Sequence, residues 1–145
     1  SSDLIPVGAA VVVSTPQNIA LADARKGVAM FQMDSINVPV LGIVENMSYF
    51  TPKELPNNKY YIFGQEGARV LAEKLELPLL AEIPLVQSVR EAADAGRPAV
   101  LQGSTPAAVA FLDFADKVVE EMNKRNQLEA TKRVEITNTD GCSTN

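Results

Sequence analysis

The side chain best placed for chemistry in this sequence is an amide. Asn46 follows the apolar run 38–44 and Glu45, so it stands at the tip of an expected strand and is held rigidly there. An amide offers one acceptor and a pair of donors, which matches the N6/N7 edge of adenine in a bidentate way. It serves equally well to cap a strand end by bonding nearby backbone, and the residue alone favours that plainer use. Asp23 lies between Ala22 and Ala24, just ahead of Arg25 and Lys26. Alone, such a carboxylate is solvated or paired at i,i+3, and a functional use needs a lysine from elsewhere in the molecule. Gly64 and Gly67 follow Tyr-Tyr-Ile-Phe as a glycine-containing turn before a helix. With no lysine beside them, helix entry and tight packing is the better reading. Asn46-Met-Ser48 also fits a glycosylation sequon, which is set aside because no secretion signal accompanies it.

What is absent narrows the chemistry further. The chain has no His, which removes Ser-His-Asp and Cys-His catalysis, and one Cys, Cys142, in a polar tail. One thiol forms no internal disulfide, and a Cys/His zinc site within one copy is impossible. Neither G-x-x-x-x-G-K-[ST] nor G-x-G-x-x-G occurs, so nothing here makes a phosphate cradle and no catalytic residue is assigned. The acidic residues Asp113, Asp116, Glu120 and Glu121 fall on helix faces, where solvation explains them. Net charge is −5, and no Lys/Arg stripe interleaves with aromatics, so nucleic acid finds no electrostatic footing. No apolar run nears the roughly 20 residues that span a bilayer, and no basic-then-apolar leader opens the sequence. These features fit a cytoplasmic protein. The first residue is Ser rather than Met, which suits a chain processed or cut from a longer one.

At 145 residues, 46% of them hydrophobic, the chain is long enough to bury a core without staples. With no Trp, five Phe and three Tyr, that core must be mostly Ala, Val, Leu and Ile. Residues 8–14, 38–44 and 79–83 are short, β-branched-rich apolar runs, which read as fully buried strands of a parallel sheet. Thr15-Pro16 reads as an N-cap followed by Pro at the first helical position, opening a helix to about residue 33. The stretch 46–59 is expected to be irregular, and 60–63 to form a short strand. Ala68, Leu71, Ala72 and Leu75 give one helical face. A short helix over about 86–95 stops at Gly96 with Pro98 beyond, and Thr105-Pro106 opens the last helix. Alternating strands and helices imply a three-layer α/β fold with a mostly parallel sheet and helices on its faces. Such sheets bind ligands at the carboxyl ends of their strands, so the tips 14–16, 45–47 and 82–85 should converge. Residues 1–125 form the folded unit, and 126–145 a flexible polar tail.

Taken together, several segments resemble one family. Val-Ser-Thr-Pro-Gln-Asn-Ile-Ala-Leu-Ala-Asp-Ala-Arg-Lys-Gly (13–27), Val-Pro-Val-Leu-Gly-Ile-Val-Glu-Asn-Met-Ser-Tyr-Phe (38–50) and Tyr-Ile-Phe-Gly (61–64) resemble the distal half of Mrp/ApbC-type ATPases. Leu-Ala-Glu-Ile-Pro-Leu (80–85) and Val-Arg-Glu-Ala-Ala-Asp-Ala-Gly-Arg-Pro (89–98) continue the match, which covers roughly residues 8–120 in order. That family belongs to the ParA/MinD group of P-loop proteins, and its members act as iron–sulfur cluster carriers.

The resemblance implies that Asn46 recognises adenine, and that Ile83, Pro84 and Leu85 border the same base as an apolar wall and backbone partner. It implies that Asp23 pairs with the signature lysine of a P-loop that these 145 residues do not contain. It further implies Mg-ATP in the full-length parent, a homodimer with the loop 46–59 near the interface, and iron–sulfur client proteins. Many members carry Cys-x-x-Cys after the Asn-Met-Ser segment. The corresponding loop here reads Thr51-Pro-Lys-Glu-Leu-Pro-Asn-Asn58, so the usual cluster ligands are absent. The chain alone is therefore expected to be inactive, as the adenine-side half of an ATPase of iron–sulfur assembly. Two alternatives stand beside this: a non-catalytic, nucleotide-dependent interaction module, and a positioning ATPase of the ParA/MinD kind.

Overall fold

A computed structural model describes residues 7–52, 54–101, 103 and 105–127. The order of elements is β1 (Ala10–Ser14), α1 (Asn18–Phe31), β2 (Val40–Asn46), α2 (Gly67–Lys74), β3 (Leu79–Ile83), α3 (Gln87–Asp94), a 3-10 turn (Ala99–Leu101) and α4 (Pro106–Asn126). Both neighbouring strand pairs are parallel, in the order β1-β2-β3. Each crossover carries a helix, as parallel pairing requires. The expected three-layer α/β arrangement is present.

Side-chain alternation along the strands, interrupted by a register shift that leaves Leu80 without a pair on β2, divides the core in two. On one face Val12 and Ile43 pack with Ala24 and Val28 of α1 and Ala68, Leu71 and Ala72 of α2. On the other, Val44, Leu80, Ala81 and Ile83 pack under Phe111, Phe114 and Val118 of α4. Burying one such aliphatic side chain is worth about 1.5–3 kcal/mol, so these two clusters supply most of the drive to fold. Thr105 caps α4, its hydroxyl accepting from the Ala108 N–H at 3.2 Å, with Pro106 in the first turn. α3 stops where expected, at Gly96 with φ +67°, and Arg97 N–H returns to the Ala92 carbonyl at 2.8 Å.

Three expectations need correction. β1 is not buried on both faces: α4 lies over β3 and β2, and Val13 is left 59% exposed at the open edge of the sheet. Residues 60–63 do not make a strand. Phe50 and Tyr60 exchange one antiparallel pair of 2.8 Å hydrogen bonds, and the chain then turns, with Gly64 at φ +115°. Lastly, α1 starts later than Thr15-Pro16 suggests. Gln17 is the N-cap residue, in extended conformation, and the Thr15 hydroxyl donates to the Gln17 side-chain oxygen, with no cap bond accepted from a helix N–H. The cause is tertiary. Pro16 is buried against the turn that opens α2, where a Cβ on Gly67 would meet the Pro16 carbonyl oxygen at 2.5 Å and one on Gly64 would meet it at 3.2 Å. The two glycines are thus used for tight packing and helix entry. The tail lies outside the described residues from residue 128 onward, Cys142 included.

This packing predicts that Gly67→Ala destabilises the fold. The added methyl meets a backbone oxygen that cannot retreat, which outweighs the gain of up to about 1 kcal/mol from alanine's helix propensity and leaves a net loss of about 1–2 kcal/mol. Equilibrium denaturation reads the effect. A midpoint equal to or above that of the parent chain would contradict the account.

Candidate functional site

The parallel register sets the site. Ser14 pairs with Glu45 across β1 and β2, and Asn46 pairs with Ile83 across β2 and β3, so the three carboxyl tips lie side by side. Beyond the strands the alignment persists: Ser48 N–H donates to the Ile83 carbonyl at 3.0 Å, and Leu85 N–H to the Tyr49 carbonyl at 2.7 Å. The segments after β2 and β3 therefore leave the sheet as a coupled pair.

At the turn, Met47 takes a left-handed backbone with φ +53°, uncommon for a residue with a side chain. Its N–H donates to Asn46 Oδ1 at 2.9 Å. That bond ties the amide oxygen to local backbone, the capping use weighed from sequence. It occupies one lone pair of the oxygen, and the amide NH2 has no acceptor among the described residues. Asn46 is half-buried, and it lines an open groove of about 660 Å³ that follows β1 and α1. Val13, Ser14, Thr15, Asp23 and Ala24 line the same groove.

Asp23 and Asn46 are thus brought to one cavity. Asp23 is 74% exposed on α1 and pairs with Lys26 at 3.1 Å, the i,i+3 partner on its own helix. The residues expected as an apolar wall are placed differently. Ile83 is 3% exposed in the core beneath α4, its carbonyl already taken by Ser48. Pro84 is buried beside it, and of the three only Leu85 keeps part of its side chain open. The wall cannot be built from the Ile83 side chain, because strand alternation directs that residue into the core.

Sequence reasoning placed Glu45 at a strand tip and gave it no role, yet it is the most heavily engaged side chain of the site. It is 1% exposed. Oε1 accepts from the Ser48 hydroxyl at 2.6 Å, and Oε2 accepts from the Ala68 N–H at 2.7 Å. Ala68 is in the first turn of α2, whose own N-cap residue, Glu66, makes no side-chain cap bond. A carboxylate at that end satisfies an orphan donor and sits at the positive end of the helix dipole, which offsets the cost of its burial. The available signal was an acidic residue ending a run of buried strand positions, with a hydroxyl three residues on.

The loop after the turn carries exposed apolar side chains, Phe50, Leu55, Tyr60, Tyr61 and Ile62, and Lys59 places its ammonium 4.0 Å from the Tyr49 ring centre. Residues 51–58 contain no thiol, and among the described residues no group of three or more His, Cys, Asp or Glu is arranged to hold a metal. An iron–sulfur cluster does not fit the donors of this loop. Among the same residues, no helix is long and apolar enough to cross a membrane.

A three-strand parallel sheet with helices on its faces, its carboxyl tips side by side and no phosphate loop among these 145 residues, is part of a P-loop NTPase fold. The chain belongs to the ParA group described as NUBPL iron-transfer P-loop NTPase, which it matches over residues 2–119. It is 48% identical over 122 residues to the iron–sulfur cluster transfer protein NUBPL of Mus musculus, covering 83% of this chain and 37% of that protein. It is 45% identical over 126 residues to an Arabidopsis thaliana mitochondrial iron–sulfur protein required for NADH dehydrogenase, covering 85% and 39%. Among solved structures, a nucleotide-binding protein from Archaeoglobus fulgidus in complex with ADP is similar, with TM-score 0.54 and 37% identity over 62% of this chain and 36% of that one. The chain spans less than two fifths of the length of these relatives.

Proposed function

We propose that this chain is the adenine-side half of an ATP-binding, Mrp-type ATPase that serves iron–sulfur cluster assembly or transfer. The observation that carries the reading is the Asn46 amide: its NH2 is unpaired among the described residues, its oxygen is fixed by Met47, and the groove it lines is open. In this reading the NH2 donates to adenine N7 and the second lone pair of Oδ1 accepts from N6. Guanine presents an oxygen where adenine presents that donor pair, so the same amide disfavours it. Leu85 supplies apolar contact, and Ile83 and Pro84 act as the rigid support behind it.

Asp23 is proposed as the partner of a P-loop lysine. Its exposure on the groove suits that role, and its present bond to Lys26 is an exposed pair that costs little to exchange. Binding of triphosphate and magnesium, and hydrolysis itself, are assigned to a P-loop half outside these 145 residues; Mg-ATP supplies the phosphoryl chemistry there. The proposed assembly is a homodimer, with the apolar loop near the interface and iron–sulfur proteins as clients. The proposed compartment is the cytoplasm; the mitochondrial name of the Arabidopsis relative makes an organelle matrix the alternative for localisation to decide.

A second reading is favoured by one observation, the loop without thiols: a nucleotide-dependent interaction module that carries no cluster. Anaerobic incubation of the full-length protein with iron and sulfide separates the two. A stoichiometric, transferable cluster supports the carrier reading, and none at any loading supports the module.

For the base-reading claim, Asn46→Ala in the full-length, P-loop-bearing protein is expected to weaken ATP binding by about 10–100-fold while GTP binding moves little. That range corresponds to about 1–3 kcal/mol for one bidentate contact to a base edge. Calorimetric titration with both nucleotides measures it, and unchanged affinities for both would remove Asn46 as base reader.

A further inference from the structure

We propose that Glu45 is the positioning residue of the purine reader, and that its carboxylate couples Asn46 to the loop between β2 and α2. This rests on the reading of Asn46 given above.

The geometry is specific. The two oxygens of one carboxylate hold the two ends of one loop. Oε1 takes the Ser48 hydroxyl, where the chain leaves β2, and Oε2 takes the Ala68 N–H, where it enters α2. The described part of the loop carries Phe50, Leu55, Tyr60, Tyr61 and Ile62, and within it Phe50 and Tyr60 form one antiparallel bridge. Glu45 and Ser48 are each 1% exposed, so both bonds are shielded from water and stronger for it.

The clip also determines where the Asn46 amide points. Asn46 and Met47 are the two residues between the clipped pair. With Glu45 fixed in the sheet opposite Ser14, and Ser48 fixed both by its hydroxyl and by its N–H to Ile83, the turn has no slack. Met47 is held in its left-handed conformation, which aims its N–H at Asn46 Oδ1 and leaves the NH2 facing away. Removing the carboxylate leaves the buried Ser48 hydroxyl and the Ala68 N–H each without that acceptor, and the turn loses the restraint that sets the amide plane. Among the described residues Glu45 has no cationic partner, so its contribution is geometric and does not depend on pairing with a base. Coupling is reciprocal: if purine binding favours the clipped turn, it also holds the loop ends, and an event that pulls the loop open weakens purine binding.

The test compares Glu45→Ala, Glu45→Gln, Ser48→Ala and Asn46→Ala in the full-length protein. The readouts are ATP and GTP dissociation constants, and hydrogen exchange over residues 49–66 with and without ADP. Glutamine can accept from Ala68 and donate to the Ser48 oxygen, so Glu45→Gln is expected to keep the ATP/GTP preference within about 3-fold. Glu45→Ala is expected to lower that preference about 10-fold, to leave GTP affinity unchanged and to abolish ADP-dependent protection of the loop. Ser48→Ala cuts one arm only and is expected to give an intermediate loss, which keeps the test decisive if Glu45→Ala does not fold. If Asn46→Ala collapses the preference while Glu45→Ala and Ser48→Ala retain it, the positioning role fails and the base reader stands. Should Asn46→Ala itself leave the preference intact, the base reading fails and the positioning role falls with it.

Discussion

The pairing of β2 between β1 and β3 is the constraint on which the rest of this structure depends. β2 is buried on both faces from Leu41 to Glu45, so its register is fixed by what it must hide. That register sends Ile43 and Glu45 toward α1 and α2, and sends Val44 toward α4. A slip by one residue would exchange the faces, driving the carboxylate into the apolar layer under α4 and stripping Ala68 of its acceptor. Consecutive residues at the tip therefore have separate duties. Glu45 fixes the backbone, and Asn46 keeps a donor pair with no acceptor among the described residues.

Under the proposed function, labour is divided between two halves of one nucleotide site. Reading a base edge needs a rigid, well-aimed hydrogen-bonding group, and a tip of a parallel sheet supplies one without charge. Holding a triphosphate needs cations and a nest of backbone N–H groups, and the sequence offers neither the lysine nor the glycine loop. The open edge of β1, with Val13 exposed along it, is where a further strand can continue the sheet. Asp23 on α1 faces the same groove, on the side where the phosphate half is assigned. The loop 51–58 offers a cluster no thiol ligand.

Much of this was legible in the sequence because local pattern and tertiary context agree. The three apolar runs became the three strands, and Thr105-Pro106 capped the last helix through the expected hydroxyl bond. The misses share one cause, contacts that pattern cannot see. An apolar run looks the same at the centre of a sheet as at its edge, so the exposure of Val13 was hidden. The start of α1 was set by Pro16 packing under residues near 64–67, far along the chain. Tyr60–Phe63 has strand composition, but only Tyr60 meets a partner before the turn. Glu45 escaped notice because its second acceptor bond spans 23 residues of sequence. The resemblance implied that Ile83 borders the base, whereas its side chain packs under α4, an element far along the chain.

The central claim is that the Asn46 amide meets the purine ring, and the most direct measurement is its own side-chain NH2 resonance in the 15N-labelled full-length protein. The account predicts a large shift and slowed exchange with solvent on adding ATP, with neither change on adding GTP at equal occupancy. An Asn46 amide that stays unmoved while ATP saturates the protein would contradict it.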